Sequence, residues 1–231
     1  MDALLANDHS KSSPTPTDLM AETHHRVANS LALLVGMVRL QALSVKKKQE
    51  TLSNAEVRNL LDGVAARINT ISQLHRILAQ TESEGTISLR PHLRDVTDAL
   101  VAALSSPEQA VNVVHTGSDC MVLMRHVQPI VLLLCEVFIN ALKYAHPTGV
   151  ALIMAVDCAP AGDGRLVLTI SDDGVGLPEG FEPEQSTGMG FMVMRRLAAE
   201  IGSELQIRST HLGLSFRLSL PAGAMAGAKL A

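Results

Sequence analysis

One stretch limits the possible folds of this chain more than any other. Val57, Leu61, Val64, Ile68, Ile71, His75 and Leu78 recur at alternating spacings of four and three. That is the seam of a long helix packed against other helices. Ser53-Asn54-Ala55-Glu56 stands just ahead of it and reads as a capping box, with a hydroxyl and a carboxylate three residues apart. Upstream, Asp18 follows Pro16-Thr17 and is placed to cap a helix running to about Ser44. Val27, Leu31, Leu34 and Val38 form one stripe of that helix, and Leu33, Met37 and Leu40 a second. Lys46-Lys47-Lys48 then marks a solvated turn. Two helices joined this way make an antiparallel hairpin, which cannot cover both apolar stripes alone. A second copy would complete a four-helix bundle, so a homodimer is expected.

Residues 1–17 read as a polar, proline-punctuated tail and residues 18–82 as the hairpin. Thr81-Glu82-Ser83-Glu84-Gly85 breaks the helical pattern and marks a domain boundary. Beyond it, over 86–221, strands and helices alternate. The expectation is a strand near Ile87, a helix from about Arg90 to Leu104, and strands at Val111–His115 and Met121–Met124. Pro129 suits the first turn of a long helix ending near Ala145. Val150–Val156 and Arg165–Ser171 are rich in β-formers, with the hairpin signal Ala159-Pro160-Ala161-Gly162-Asp163-Gly164 between them. A loop over Pro178–Thr187 leads to a helix at Met189–Ile201, and two last strands lie at Leu205–Ser209 and Leu214–Leu220. The fold class expected is α+β: a two-helix dimerisation hairpin, then an α/β sandwich with helices on one face of a mixed sheet. Residues 222–231 form a second tail.

With 47% hydrophobic and 18% charged residues, the chain has the composition of a globular protein. Its formal net charge of -4 gives no long-range field for nucleic acid, and no such partner is expected. No run approaches the roughly 18 consecutive apolar residues of a membrane span, and the start lacks a signal-peptide layout. Cys120, Cys135 and Cys158 read as reduced, mostly buried thiols, so a cytoplasmic protein without a membrane anchor is expected.

Chemistry enters in the second half. Glu136, Asn140 and Lys143 project from one helix face beside Leu132-Leu133-Leu134. A carboxylate, an amide and an ammonium so arranged can hold a magnesium ion and meet phosphate. Standing alone, the face would be an ordinary solvated one. It is followed by Leu166-Val167-Leu168-Thr169-Ile170-Ser171-Asp172-Asp173-Gly174-Val175-Gly176, a strand delivering an acid into a glycine turn. There the backbone can approach a flat base while a carboxylate accepts from an amino group. Thr187-Gly188-Met189-Gly190 then opens a helix whose free amides suit phosphates.

An Asn-box, Asp-x-Gly-x-Gly and Gly-x-Gly in this order resemble the ATPase domain shared by gyrase, heat-shock chaperones, histidine kinases and MutL. The resemblance covers about Ile87 to Leu220. It implies ATP and Mg2+ as cofactors, with Asn140 ligating magnesium and Glu136 beside it. It puts Lys143 near the phosphates, Tyr144 on the pocket wall and Asp172 on the adenine amino group. Thr187 and Gly174, Gly176, Gly188 and Gly190 would shape the pocket and its lid. One departure is His211-Leu212-Gly213-Leu214, where the family has Gly-Thr beside the adenine; Ser215 is the candidate substitute.

Glu22-Thr23-His24-His25-Arg26-Val27-Ala28-Asn29 resembles the dimerisation helix of the HHR class of histidine kinases, relatives of the HWE kinases. Ala28 replaces the usual lysine, and the chain has no Trp, which the HWE set carries. His24 falls in register with the bundle seam, whereas His25 is about 100° further round and exposed for reaction. The family motif also selects the histidine before Arg. His25 is therefore the expected phosphoacceptor, with Arg26 steadying phosphoryl oxygens and Glu22, one turn back, orienting or deprotonating the ring. His75 reads as a packed histidine of the seam. The resemblance implies a two-component histidine kinase that phosphorylates itself from ATP and passes the group to an aspartate of a response regulator receiver domain. The signal is expected either from a separate sensor protein docking on the bundle or through the N-terminal tail. The alternative is a phosphorelay histidine phosphotransferase of the same fold that does not use ATP. A serine kinase or chaperone-like ATPase would leave the histidine hairpin unexplained.

Overall fold

The computed structural model describes residues 35–36, 38–39, 42, 52–78, 85–105, 109–146, 150–161, 164–183 and 189–221. Both tails, Glu22, His24, His25, Arg26, Thr187 and Gly188 lie outside the described residues, as does the side chain of His75. Of the first expected helix, Val35, Gly36, Val38, Arg39 and Ala42 are described, and all are helical.

Helix α1 (Asn54–Leu78) begins where the capping box places it. The Ser53 amide donates to Glu56 Oε2 at 2.8 Å and the Glu56 amide to Ser53 Oγ at 3.2 Å, which satisfies donors that a helix start leaves free. The helix has two apolar faces. Val57, Leu61 and Ile68 of the heptad seam are exposed, whereas Gly63, Ala66, Arg67, Thr70 and Ile71 are buried. The buried face meets the second half of the chain.

That half runs β1 (Thr86–Ser88), α2 (Leu89–Leu104), β2 (Val111–Gly117), β3 (Met121–Leu123), α3 (Met124–Tyr144), β4 (Leu152–Pro160), β5 (Arg165–Asp172), α4 (Met189–Glu200), β6 (Leu205–Thr210) and β7 (Gly213–Pro221). Strands β1 and β3 form a small antiparallel pair. The main sheet has the order β2-β4-β5-β7-β6, parallel only between β2 and β4. Alternate residues of β4, β5 and β7 are buried, so one face of the sheet carries the helices.

Helix α3 is the centre of the core. Val131, Leu132, Leu133, Leu134, Val137 and Phe138 are all within 1% of full burial, which no one-sided helix achieves. The sheet and α4 cover one side of it, and α1 and α2 cover the rest. Its length and mean hydropathy of 1.5 are those of a membrane span, yet most of it is buried inside the protein. Its start corrects the sequence reading. Pro129 stands inside the helix and not in its first turn, because Met124, His126 and Val127 are core residues that draw the helix back to Met124. The cysteines also differ from expectation. Cys120 and Cys158 are joined as a disulfide, and only Cys135 is a free thiol among the described residues. Burial pushes the Cys135 thiol up to about 12.

Candidate functional site

Strand β5 buries Leu166, Leu168 and Ile170 on its core face, and Asp172 is the next position of that row. A carboxylate thus ends an apolar row at the end of the central strand. Its Oδ1 accepts the Gly174 amide at 2.9 Å and the Leu214 amide at 3.2 Å, while its second oxygen has no hydrogen bond among the described residues. Burial raises the Asp172 carboxyl above the usual range, and the two amides only partly oppose this.

The turn after Asp172 is built on close backbone approach. A Cβ on Gly174 would stand 2.5 Å from the Ala145 backbone at the end of α3, and the Val175 amide donates to the Ala145 carbonyl at 3.0 Å. Gly176 has φ +74, where a side chain is strained and would meet the Thr210 carbonyl. Gly213 brings the start of β7 against the Asp172 carbonyl in the same way. The Leu214 amide therefore holds the place expected of the family's threonine, without its hydroxyl. Ser215 does not substitute: it pairs with Ser171, so it faces the side of the sheet opposite Leu214 and Asp172.

On α3, Asn140 is half-buried, and its amide lies against α4: a Cβ on Gly190 would be 2.8 Å from Asn140 Nδ2. Two motifs 50 positions apart in sequence thus meet. Lys143 reaches solvent and Tyr144 is 69% exposed, so the expected pocket wall has little cover at Tyr144. Crowding by protein, then the Arg67 charge, lowers the Lys143 pKa, with Glu136 opposing. Phe181 from the loop after β5 rests 5.7 Å from Phe191 of α4, which stacks on Phe216 of β7 at 6.3 Å. Arg195 donates to the Pro183 carbonyl at 2.6 Å, tying the loop to α4.

Glu136 has different surroundings from those expected. It is 3% exposed, with Oε1 2.5 Å from Arg67 Nε and Oε2 2.8 Å from Arg67 Nη2. Its carboxylate meets a guanidinium of the hairpin instead of facing a metal site. The sequence reading passed over Arg67, although Gly63, Arg67 and Thr70 lie on one helix face inside an apolar pattern. It also passed over His146 and the second acid of Asp172-Asp173, which are paired at 2.8 Å.

This fold, with an inward acid, a glycine turn and an asparagine helix joined at one end of the central strand, defines an ATPase domain of the gyrase type attached to the long helix α1. A family model described as "Histidine kinase" matches residues 22–104, and one described as "Histidine kinase-, DNA gyrase B-, and HSP90-like ATPase" matches residues 126–224. Between them they span most of the sequence, so the chain joins a histidine kinase domain to an ATPase domain of the type shared by histidine kinases, gyrase B and HSP90. The first match takes in β1 and α2 as well as the hairpin. The chain is similar to the sensor histidine kinase PdtaS of Mycobacterium tuberculosis, with 27% identity over 87% of the chain and 39% of the relative. It is similar to blue-light-activated histidine kinase 2 of Erythrobacter litoralis, with 25% identity over 87% of the chain and 56% of the relative. The chain thus spans about two fifths to just over half of these curated relatives. A solved histidine kinase domain from the Erythrobacter litoralis EL346 blue-light activated kinase superimposes with a TM-score of 0.62 at 25% identity, covering 87% of this chain and 92% of that one. This relative is of the HWE class, a neighbour of the HHR class that His25-Arg26 resembles.

Proposed function

We propose that the chain is an ATP-dependent protein-histidine kinase. It phosphorylates His25 and passes the phosphoryl group to an aspartate on the receiver domain of a response regulator. The observation that carries this is the meeting of Gly174 and Gly190 with the Asn140 helix, beside an Asp172 held by the Gly174 amide, on a domain packed against α1. The donor set suits a nucleotide. Asp172 has an oxygen to spare for an exocyclic amino group, and Gly174 and Gly176 let the turn beside it close against Ala145 and Thr210.

In this reading Asp172 orients the adenine, and Gly174 and Gly176 let the backbone lie against it. The amides around Thr187, Gly188 and Gly190 face the phosphates at the start of α4, with Lys143 opposite. Asn140 is the side-chain ligand proposed for Mg2+, since Glu136 is engaged by Arg67. A bound magnesium ion offsets phosphate charge. A neutral ring nitrogen of His25 attacks the γ-phosphorus, the bond to the bridging oxygen breaks, and ADP leaves. Arg26 meets the transferred oxygens and Glu22 orients the ring. Residues 18–82 form the dimerisation and phosphoacceptor hairpin and 86–221 the nucleotide domain. The exposed row Val57, Leu61 and Ile68 supports a homodimer, because a second copy would cover it. A separate sensor protein docking on the bundle would supply the signal.

The test is incubation of the purified chain and its His25→Ala variant with γ-labelled ATP and magnesium. Acid-labile, alkali-stable label on the first and none on the second is expected. A chain that neither labels nor binds ATP would sink the reading in favour of the phosphotransferase.

A further inference from the structure

We infer that Arg67 is a positioning residue for the nucleotide site, linking the hairpin to the Asn140 turn of α3 through Glu136. The inference rests on the nucleotide site proposed above and adds to it a residue from the other domain. Arg67 is 7% exposed and Glu136 3%, so both charges are withdrawn from water. Every nitrogen of the guanidinium has an oxygen: Nε meets Glu136 Oε1, Nη2 meets Oε2, and Nη1 meets the Gly63 carbonyl at 3.0 Å. The surroundings are shaped for it. A Cβ on Gly63 would come within 3.2 Å of Arg67 Nη1, so glycine leaves the room the side chain occupies. Thr70, on the same face of α1, meets Cys135 beside Glu136. Burial works against the Arg67 charge, but the hydrogen bond and charge of Glu136 outweigh it and raise the pKa.

A buried ion pair contributes little net stability, since desolvation offsets the attraction, and its cost points to a geometric use. A bidentate fork fixes direction as well as distance. Here it adds a directional constraint to the seating of α3 against α1, at the turn that leads to Asn140. Asn140 is one turn beyond Glu136 on the same face, with its amide against Gly190. Any shift of α1 along this contact therefore moves Glu136, and with it the asparagine at the phosphate end of the site. A signal acting on the hairpin has a direct route to nucleotide binding.

The experiment is calorimetric titration of the full chain with Mg-ADP, which needs no phosphoryl transfer, alongside thermal unfolding. Arg67→Met should weaken Mg-ADP binding roughly tenfold. The Arg67→Met/Glu136→Leu double variant, which leaves no unpaired buried charge, should melt at or above the unaltered chain yet bind as weakly as Arg67→Met. Binding by Arg67→Met equal to that of the unaltered chain would overturn the role of Arg67. So would recovery of full affinity in the double variant, which would reduce the pair to a scaffold. An unaltered chain that fails to bind Mg-ADP would instead overturn the nucleotide-site reading itself.

Discussion

His146 Nε2 stands 2.8 Å from Asp173 Oδ1, and the same oxygen accepts the Ile153 amide at 2.9 Å. The pair closes the end of α3 onto the turn that presents Asp172. Partial burial works against the Asp173 charge, but the Ile153 amide and His146 outweigh it and hold the carboxyl below its usual range. A depressed carboxyl contributes stability above its unfolded pKa and loses it as pH falls through the folded value.

Asp173→Asn keeps an acceptor and loses the charge. It should therefore be less stable than the unaltered chain near neutral pH, by less than about 1 kcal/mol because Asp173 is 38% exposed and screened. The gap should close below about pH 4 as the carboxyl protonates. Denaturant unfolding of both chains across that range measures it, and a gap that widened in acid would contradict the assignment.

Asp172 has the opposite shift. Burial raises its pKa, so the carboxylate that would accept from an adenine amino group is lost earlier on acidification than an ordinary aspartate. Mg-ADP affinity of the unaltered chain should fall with decreasing pH, starting above the usual carboxylate range. Asp172→Asn should bind about tenfold more weakly near neutrality, in keeping with a lost hydrogen bond to a charged group. Its affinity should vary less with pH, and equal pH profiles for the two would exclude Asp172 as the adenine acceptor.

Local signals made most of this fold legible in the sequence. The capping box at Ser53 fixed the start of α1, and the alternation Leu166, Leu168, Ile170 fixed the core face on which Asp172 lies. What stayed hidden depended on contacts distant in sequence. The heptad seam shows that α1 packs, but nothing in it says that Gly63, Arg67 and Thr70 would form a second face against α3. Glu136 looked like a pocket acid because its spacing to Asn140 shows a shared face and not the neighbour across it. The pairing of Cys120 with Cys158 depends on strands β2 and β4 running parallel, a topology no local pattern encodes.

Gly190 separates stability from binding. Gly190 is the second residue of α4 with an ordinary helical backbone, where alanine is tolerated at least as well as glycine, so Gly190→Ala should leave the melting temperature close to that of the unaltered chain. Its Cβ would nevertheless crowd the Asn140 amide, 2.8 Å from Nδ2 and 3.2 Å from Oδ1. Mg-ADP affinity should fall several-fold while thermal unfolding stays level or improves. Unchanged affinity would mean that Asn140 takes no part in the site.

The seam face of α1 supplies the last prediction. Leu61 is 64% exposed, with Ile68 at 47% and Val57 at 41%, although all three sit at heptad positions. The buried face of the same helix, Ile71 of the seam included, is already taken, so these three positions are left uncovered by the described residues of this chain. Burying a leucine is worth roughly 1.5–3 kcal/mol, and a two-fold bundle counts each position twice. Leu61→Glu sets two carboxylates into that seam and should convert a dimer to monomers at micromolar concentration, measured by light scattering coupled to size exclusion. Because Leu61 points away from the Arg67 face, the monomer should still bind Mg-ADP. Retained dimers would place the interface elsewhere, and lost nucleotide binding would show that the two faces of α1 are not independent.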